Sequence, residues 1–408
     1  MTRKSVFSAA DILLPDFSPC SDDYTKWAVI ACDQFTSNIG YWNETERIVG
    51  TSPSTYDYIL PEAFLETPRA EEKTVSFKEK MASLDSSPLK KTVNGFIYIE
   101  RTLNDGKIRR GILGMVDLEE YDYAADSTSA IRATEQTVAE RIPPRSALRA
   151  MAAIELPHAM VFVNDQSSLF VKAEQIARNC PVIYDFDLMQ GGGHIKGYAI
   201  EGDAAEALSS VIVENEQLSP IPYAVGDGNH SLAAAKSLYE SVKDKYGDEA
   251  ADHPARYALC EVVSIYDGAI EFEAIHRVVM KADAADVITE LEKIASKGDG
   301  EQNITVITSN GEWKYSFTET SHDMTVGTLQ NFIDKYICDH SDAVCDYIHG
   351  EDELRSLVNE NSVAFMFDGF DKSNLFSYIK NGPMPRKTFS MGDARSKRYY
   401  LEARKIIK

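Results

Sequence analysis

Several protein classes are excluded by what this sequence lacks. Its six cysteines, Cys20, Cys32, Cys180, Cys260, Cys338 and Cys345, contain no Cys-x-x-Cys pair. Scattered over 408 residues, they read as neither a disulfide framework nor a zinc site. Cys260, inside Tyr257-Ala-Leu-Cys-Glu-Val-Val-Ser-Ile, reads as a small buried thiol. No apolar run approaches membrane-spanning length, and Met-Thr-Arg-Lys-Ser-Val-Phe at the start lacks the apolar stretch of a signal peptide. Basic residues are scarce, 42 against 64 acidic ones, for a net charge of −22. That balance opposes wrapping along nucleic acid and attachment to anionic lipids, but it permits a local pocket for a small anion. Gly-x-x-x-x-Gly-Lys-[Ser/Thr], Gly-x-Gly-x-x-Gly after a strand, and His-Glu-x-x-His are all absent. The expectation is a reduced, cytoplasmic protein, long enough for two or three domains.

What is present centres on Gly226-Asp227-Gly228-Asn229-His230-Ser231. The apolar run 221–225 before it reads as a strand. After it, Leu232, Ala235, Tyr239, Val242 and Tyr246 form one helical face. A glycine-bearing turn from strand to helix lets a ligand approach closely, and the helix start offers N–H groups to an anion. Asp227 and His230 then stand at the mouth, available to a metal or a proton. Taken alone, the stretch also fits a tight turn in which Asp227 or Asn229 caps the helix.

Trp27-Ala-Val-Ile-Ala-Cys reads as a strand, followed by the polar turn 33–38 and a helix over 41–49. A second helix is expected over 70–84. Strands over 96–101 and 108–116 flank Asp105-Gly106, a hairpin signal. Residues 129–141 read as a helix ended by Pro143-Pro144. Strands over 160–164 and 182–186 enclose a helix over 166–179, and Gly191-Gly-Gly-His194 reads as a loop. Further on, a strand over 269–275 leads to His276-Arg277, and a helix is expected over 285–297. The alternation argues an α/β or α+β fold, mixed sheets with flanking helices. Composition breaks suggest an N-terminal α/β subdomain over 1–120, a central domain over 121–297 and a C-terminal segment over 298–408.

Two further stretches carry charge. If residues 129–141 are helical, Arg132 and Glu135 share a face, with Arg141, Arg145 and Arg149 just downstream. The tail 386–408 holds eight basic residues against two acids, which fits an anionic partner or a solvated basic helix packed on an acidic body. His276-Arg277 and Tyr347-Ile-His349-Gly have the look of functional groups at strand ends.

Several stretches together resemble a bacterial and archaeal family long filed as a domain of unknown function, number 1015. They are Trp27-Ala-Val-Ile-Ala-Cys-Asp33-Gln-Phe-Thr-Ser, Arg132-Ala-Thr-Glu135-x-Thr-Val-x-Glu-Arg-Ile-Pro-Pro-Arg145, Gly191-Gly-Gly-His-Ile, Asp227-Gly-Asn-His230-Ser, Ile275-His-Arg-Val-Val, Tyr347-Ile-His-Gly and Pro385-Arg-Lys-Thr-Phe-Ser-Met-Gly. The family more often reads Asp-Gly-His-His-Arg at the central loop, where this chain has Asn229 and Ser231. That difference leaves the backbone N–H groups, Asp227 and His230 as the loop's chemistry. The loop in turn is similar to the phosphate-binding turn of the partition-protein-B and sulfiredoxin superfamily, whose members bind nucleotides and include kinases acting on free serine.

The resemblance implies a central part of that fold and a small-molecule phosphotransferase, with a nucleoside phosphate or pyrophosphate donor and Mg²⁺. In that reading Gly226, Asp227, Gly228, Asn229, His230 and Ser231 hold donor phosphates, and Asp227 contributes to Mg²⁺. His230 orients or neutralises the phosphate. Glu135, paired with Arg132, or Asp33 accepts the hydroxyl proton. Arg132, Arg141, His276 and Arg277 bind substrate, and Lys387 closes the site. The expected partner is a small anionic molecule. A nucleotide or metabolite sensor and a hydrolase with a metal among Asp33, Glu135 and Asp227 are the alternatives.

Overall fold

Runs of β-branched and aromatic residues become strands in the computed structural model, which describes residues 5–65, 67–84 and 87–407. Met1–Lys4 and Lys408, part of the start and of the basic tail read above, lie outside the described residues. The chain divides into two compact units, one of residues 1–270, 379–382 and 393–408, the other of residues 271–378 and 383–392. Residue 120 lies inside the first unit and residue 297 inside the second.

The first unit contributes strands β1 (Phe7–Ser8), β2 (Ala10–Pro15), β3 (Val29–Ile30), β4 (Leu89–Thr102), β5 (Ile108–Asp117), β6 (Tyr121–Asp122) and β7 (Ile131–Ala133). They are followed by β8 (Ile154–Glu155), β9 (Met160–Val163), β10 (Val182–Asp187), β11 (His194–Glu201), β12 (Tyr223–Asp227) and β13 (Tyr257–Ser264). Its helices are α1 (Asp23–Trp27), α2 (Ile39–Val49), α3 (Ala70–Ala82), α4 (Ile142–Ala150), α5 (Leu169–Ala177), α6 (Asp203–Glu216) and α7 (Asn229–Tyr246). One sheet of eleven strands runs β10-β11-β4-β5-β13-β9-β12-β7-β6, with β1 on β5 and β2 on β4. The pairings β6–β7, β7–β12 and β9–β13 are parallel, and the other pairings in this sheet are antiparallel, so the sheet is mixed. Along β4, Ile97 and Ile99 belong to one buried cluster and Phe96 and Tyr98 to another. With a side-chain period of two, that places apolar layers on both faces of the sheet.

The second unit holds β14 (Glu273–Met280), β15 (Ala295–Lys297), β16 (Asn303–Thr308), β17 (Gly311–Phe317), β18 (Val344–His349), β19 (Ser362–Met366) and β20 (Phe389–Ser390). Its helices are α8 (Ala284–Leu291), α9 (Thr325–Asp339), α10 (Glu351–Ser356) and α11 (Leu375–Tyr378). The sheet order is β15-β17-β16-β19-β14-β18, with β20 on β14. The chain then returns to the first unit, where β21 (Tyr399–Tyr400) pairs with β3 and β22 (Arg404–Lys405) with β8.

Four local expectations change. Residues 129–141 form no α-helix: 131–133 are β7, 139–141 make a single 3-10 turn, and Pro143-Pro144 open α4 instead of ending a helix. Proline fits the first helical turn, where its missing N–H has no intrahelical partner to lose. His276 and Arg277 lie within β14, which starts at Glu273. The helix expected over 285–297 stops at Leu291, and Ala295–Lys297 is a strand. The basic tail is not a helix. Arg398 is buried with Glu261 and Glu402, and Arg404 with Glu155. The side chain of Trp27 donates to the Leu401 carbonyl at 2.8 Å, so the tail from residue 393 on packs into the first unit, while 386–392 belong to the second.

Candidate functional site

β12 runs parallel to β7, with Val225 opposite Ala133, and antiparallel to β9, with Asp227 opposite Met160. Three connections therefore meet at one end of these strands: residues 134–138 after β7, residues 157–159 before β9, and 227–231 after β12. Thr134 ties the first to the third by donating to the Val225 carbonyl at 2.7 Å. A fourth contribution comes from far away in sequence. β21 pairs Tyr399 with Ile30 and Tyr400 with Val29, and the Ala31 N–H donates to the Arg398 carbonyl at 3.0 Å. Cys32 and Asp33, just after β3, are thereby brought level with Lys397, just before β21. Arg398 Nε donates to the Pro157 carbonyl at 3.0 Å, which joins this pair to the start of β9.

At the loop itself the helix-capping residue is Gly228, at φ 79° and ψ 25°, and no side chain caps α7 among the described residues. The expected cap by Asp227 or Asn229 is not formed, since glycine takes the left-handed position instead. Neither glycine leaves open space. A Cβ on Gly228 would lie 2.9 Å from Ala159 Cα, and one on Gly226 would strike the Phe162 ring. Both are thus required by packing and backbone geometry. Asn229 Oδ1 and Thr137 Oγ1 are buried polar atoms without a hydrogen-bond partner.

Charge converges on the same place. Lys397 Nζ lies 3.5 Å from Asp227 Oδ2, with the lysine side chain 12% and the aspartate 19% exposed. Burial pushes the Asp33 carboxyl up, but His158, the Gln34 amide and Lys397 outweigh it and hold the group below the ordinary aspartate range. His158 Nε2 is 4.0 Å from Asp33 Oδ2. His230 Nε2 accepts from the Val138 N–H at 3.2 Å, which leaves Nδ1 to carry the ring proton. Arg109 is buried and donates to the Ser396 carbonyl at 2.7 Å, fixing the turn that presents Lys397.

Asp33, Asp227 and Lys397 therefore share one cluster with His158, beside Asn229, His230 and Ser231. Glu135 follows β7 and does not share a helical face with Arg132. The Arg132 guanidinium donates to the carbonyls of Ser129, Ile379 and Lys380 at 3.3, 3.1 and 2.9 Å. Arg141 is exposed at the start of α4, Arg145 pairs with Glu62, and Arg149 pairs with Glu155. His276, Arg277 and Lys387 belong to the second unit. There Arg277 is buried, donates to Gln330 Oε1 at 2.8 Å and lies 4.6 Å from the centre of the Tyr347 ring. Sequence reading missed His158 and Lys397. The histidine stood in Leu156-Pro-His-Ala, an unremarked connection, and the lysine was one of many in a basic tail.

Among the described residues no group of three or more His, Cys, Asp and Glu side chains could hold a metal ion. Mg²⁺ bound through substrate phosphates needs one or two carboxylates, a requirement that Asp227 meets. No helix of the described residues is long and apolar enough to cross a membrane.

The structure thus defines a mixed α/β protein whose strand ends and tail gather two carboxylates, a lysine and two histidines at an uncapped helix start. The chain belongs to the family described as Protein of unknown function (DUF1015), which matches residues 17–336. No curated protein matches it. Among solved structures it is similar to free serine kinase in complex with AMP, at 10% identity over 70% of this chain and 90% of that one, TM-score 0.40. A conserved hypothetical protein from Pyrococcus furiosus is 12% identical over 70% and 90% of the two chains, TM-score 0.35. SbnI with C-terminal truncation, from Staphylococcus aureus, is 11% identical over 71% and 85%, TM-score 0.37. At these scores the likenesses say nothing about chemistry.

Proposed function

We propose that this chain is a small-molecule phosphotransferase acting on the hydroxyl of a free amino acid such as serine or of a similar hydroxy-metabolite. The observation that carries it is the uncapped start of α7, flanked by Asp227 and Lys397 in the same cluster as Asp33. Phosphoryl transfer asks for positioning, for neutralisation of oxygen charge and for a base at the acceptor hydroxyl. The N–H groups of Asn229, His230 and Ser231 supply the first, with the helix dipole behind them. Lys397 supplies a cation within reach of Asp227, and His230 orients a phosphate oxygen through Nδ1–H. Gly226 and Gly228 shape the turn.

Asp33 is the base this geometry supports, because its carboxyl is held ionised among His158, Gln34 and Lys397. Glu135, on the segment that follows β7, is the second candidate. Arg141, exposed beside the segment 134–138, is a candidate contact for an acceptor carboxylate. Mg²⁺ would be held by Asp227 with the phosphate oxygens of a nucleoside phosphate or pyrophosphate, and it would supply charge neutralisation.

The test is incubation of the purified chain with Mg²⁺, a nucleoside di- or triphosphate or pyrophosphate, and a pool of hydroxy-metabolites including serine. Products are followed by ³¹P NMR and mass spectrometry. A new phosphomonoester, lost in Asp33→Asn, is the expected result. Inorganic phosphate alone would make the chain a hydrolase, and a thermal shift without turnover would make it a sensor. Glu135→Asn losing turnover while Asp33→Asn keeps it would move the base to Glu135.

A further inference from the structure

Tyr400 is buried, and its phenolic oxygen meets three groups. The Cys32 N–H donates to it at 3.3 Å, Cys32 Sγ lies 3.1 Å away and His158 Nδ1 2.9 Å away. The other ring nitrogen, Nε2, faces Asp33 Oδ2 at 4.0 Å, beyond hydrogen-bond length but close enough for charge to act. The phenol has one proton to give. Given to the sulfur, it would force Nδ1 to act as donor and would leave an Nε2 lone pair facing a carboxylate. Given to Nδ1, it leaves Nε2–H facing that carboxylate.

Both ends of the chain favour the second arrangement. Thiol sulfur is a weak acceptor and imidazole nitrogen a better one. An N–H turned to an anion is attracted, whereas a lone pair is repelled. Burial, with Asp33 adding to it, pushes the Cys32 thiol up to about 12, so the sulfur keeps its own proton at neutral pH. Burial likewise pushes Tyr400 well above the usual phenol range, so it remains a donor. The other charged groups acting here are Lys397 on Asp33, and Glu62 and Arg145 on Cys32.

We propose that His158 is a positioning residue for Asp33, its imidazole locked by Tyr400 as the Nε2–H tautomer that faces the carboxylate. The consequence for turnover rests on the phosphotransferase reading, whereas the tautomer does not. Loss of His158 would let the Asp33 carboxyl rise, so a rate that needs ionised Asp33 would fail at a higher pH.

The experiment uses the full chain labelled with ¹⁵N-histidine, whose eight histidines are few enough to assign, with His158→Gln identifying the signals of interest. Expected are an Nε2–H tautomer at neutral pH and mixed tautomers in Tyr400→Phe, which itself identifies the ring if His158→Gln does not fold. In the turnover assay, the acid limb of the pH–rate profile is expected to move to higher pH in His158→Gln. An Nδ1–H tautomer in the unmodified chain, or an acid limb that does not move, overturns the proposal. If the unmodified chain forms no phosphomonoester, the phosphotransferase reading fails, while the tautomer still decides on His158.

Discussion

Glu155 and Glu261 show how single residues set the acid stability of this chain. Burial alone would push both carboxyls up. Arg149 and Arg404 outweigh it at Glu155, and Arg398 and Arg109 at Glu261, so both are held below the ordinary glutamate range. Glu402 shares Arg398 with Glu261, and there burial prevails and pushes the carboxyl up. A depressed carboxyl contributes stability above its unfolded value, about 4.3 for glutamate, and loses it as pH falls through the folded value. Glu155→Gln should therefore be less stable than the parent near neutral pH, and the gap should shrink below about pH 5. Urea midpoints of both proteins across pH measure it, and a gap that stays constant would remove Glu155 from the account. Such positions escape sequence reading, because nothing near Glu155 in the chain announces an arginine at 404.

At the scale of elements, the turn from β12 into α7 was legible and its internal reasons were not. Apolar residues 223–225, two glycines and a three-to-four residue periodicity are local signals, and strand and helix appear where they indicate. The role of the glycines depends on what lies above them, Phe162 and Ala159, which belong to another strand and its approach. Gly228→Ala would put a Cβ against Ala159 at a positive φ. It should cost about 1–2 kcal/mol for the left-handed conformation, more with the backbone contact, and it should displace the first turn of α7. Chemical denaturation measures the first effect and calorimetric titration with pyrophosphate the second. Residues 129–145 failed as a local reading for a related reason. Helical spacing of Arg132 and Glu135 was real in sequence, but β12 recruits 131–133 as a neighbouring strand and tertiary pairing overrides propensity.

For the molecule as a whole, the decisive event is the return of residues 393–408 to the first unit. That segment supplies two strands, the Arg398 and Arg404 ion pairs, the Leu401 carbonyl for Trp27, and Lys397 at the candidate site. Removing one partner of a buried ion pair costs about 3–5 kcal/mol, and this deletion would take Arg404 from Glu155 and Arg398 from Glu261, leaving Arg149 and Arg109 beside them. Deleting 393–408 should abolish cooperative unfolding of the first unit, read by near-ultraviolet circular dichroism and denaturant titration. A truncated chain that keeps a sharp transition and binds pyrophosphate as the full chain does would refute this assembly.

The sequence by itself determined the mixed α/β character, the family and the strand–loop–helix at 226–236, because each rests on patterns a few residues long or on motifs read in order. The tertiary structure alone decided that Asp33, His158, Asp227 and Lys397 share one cluster. Their meeting depends on β3 pairing with β21 across more than three hundred residues, and on β9 lying beside β12 and β13. Pairings between distant strands leave no period in the chain, since the partners are selected by shape, burial and charge once the core has formed.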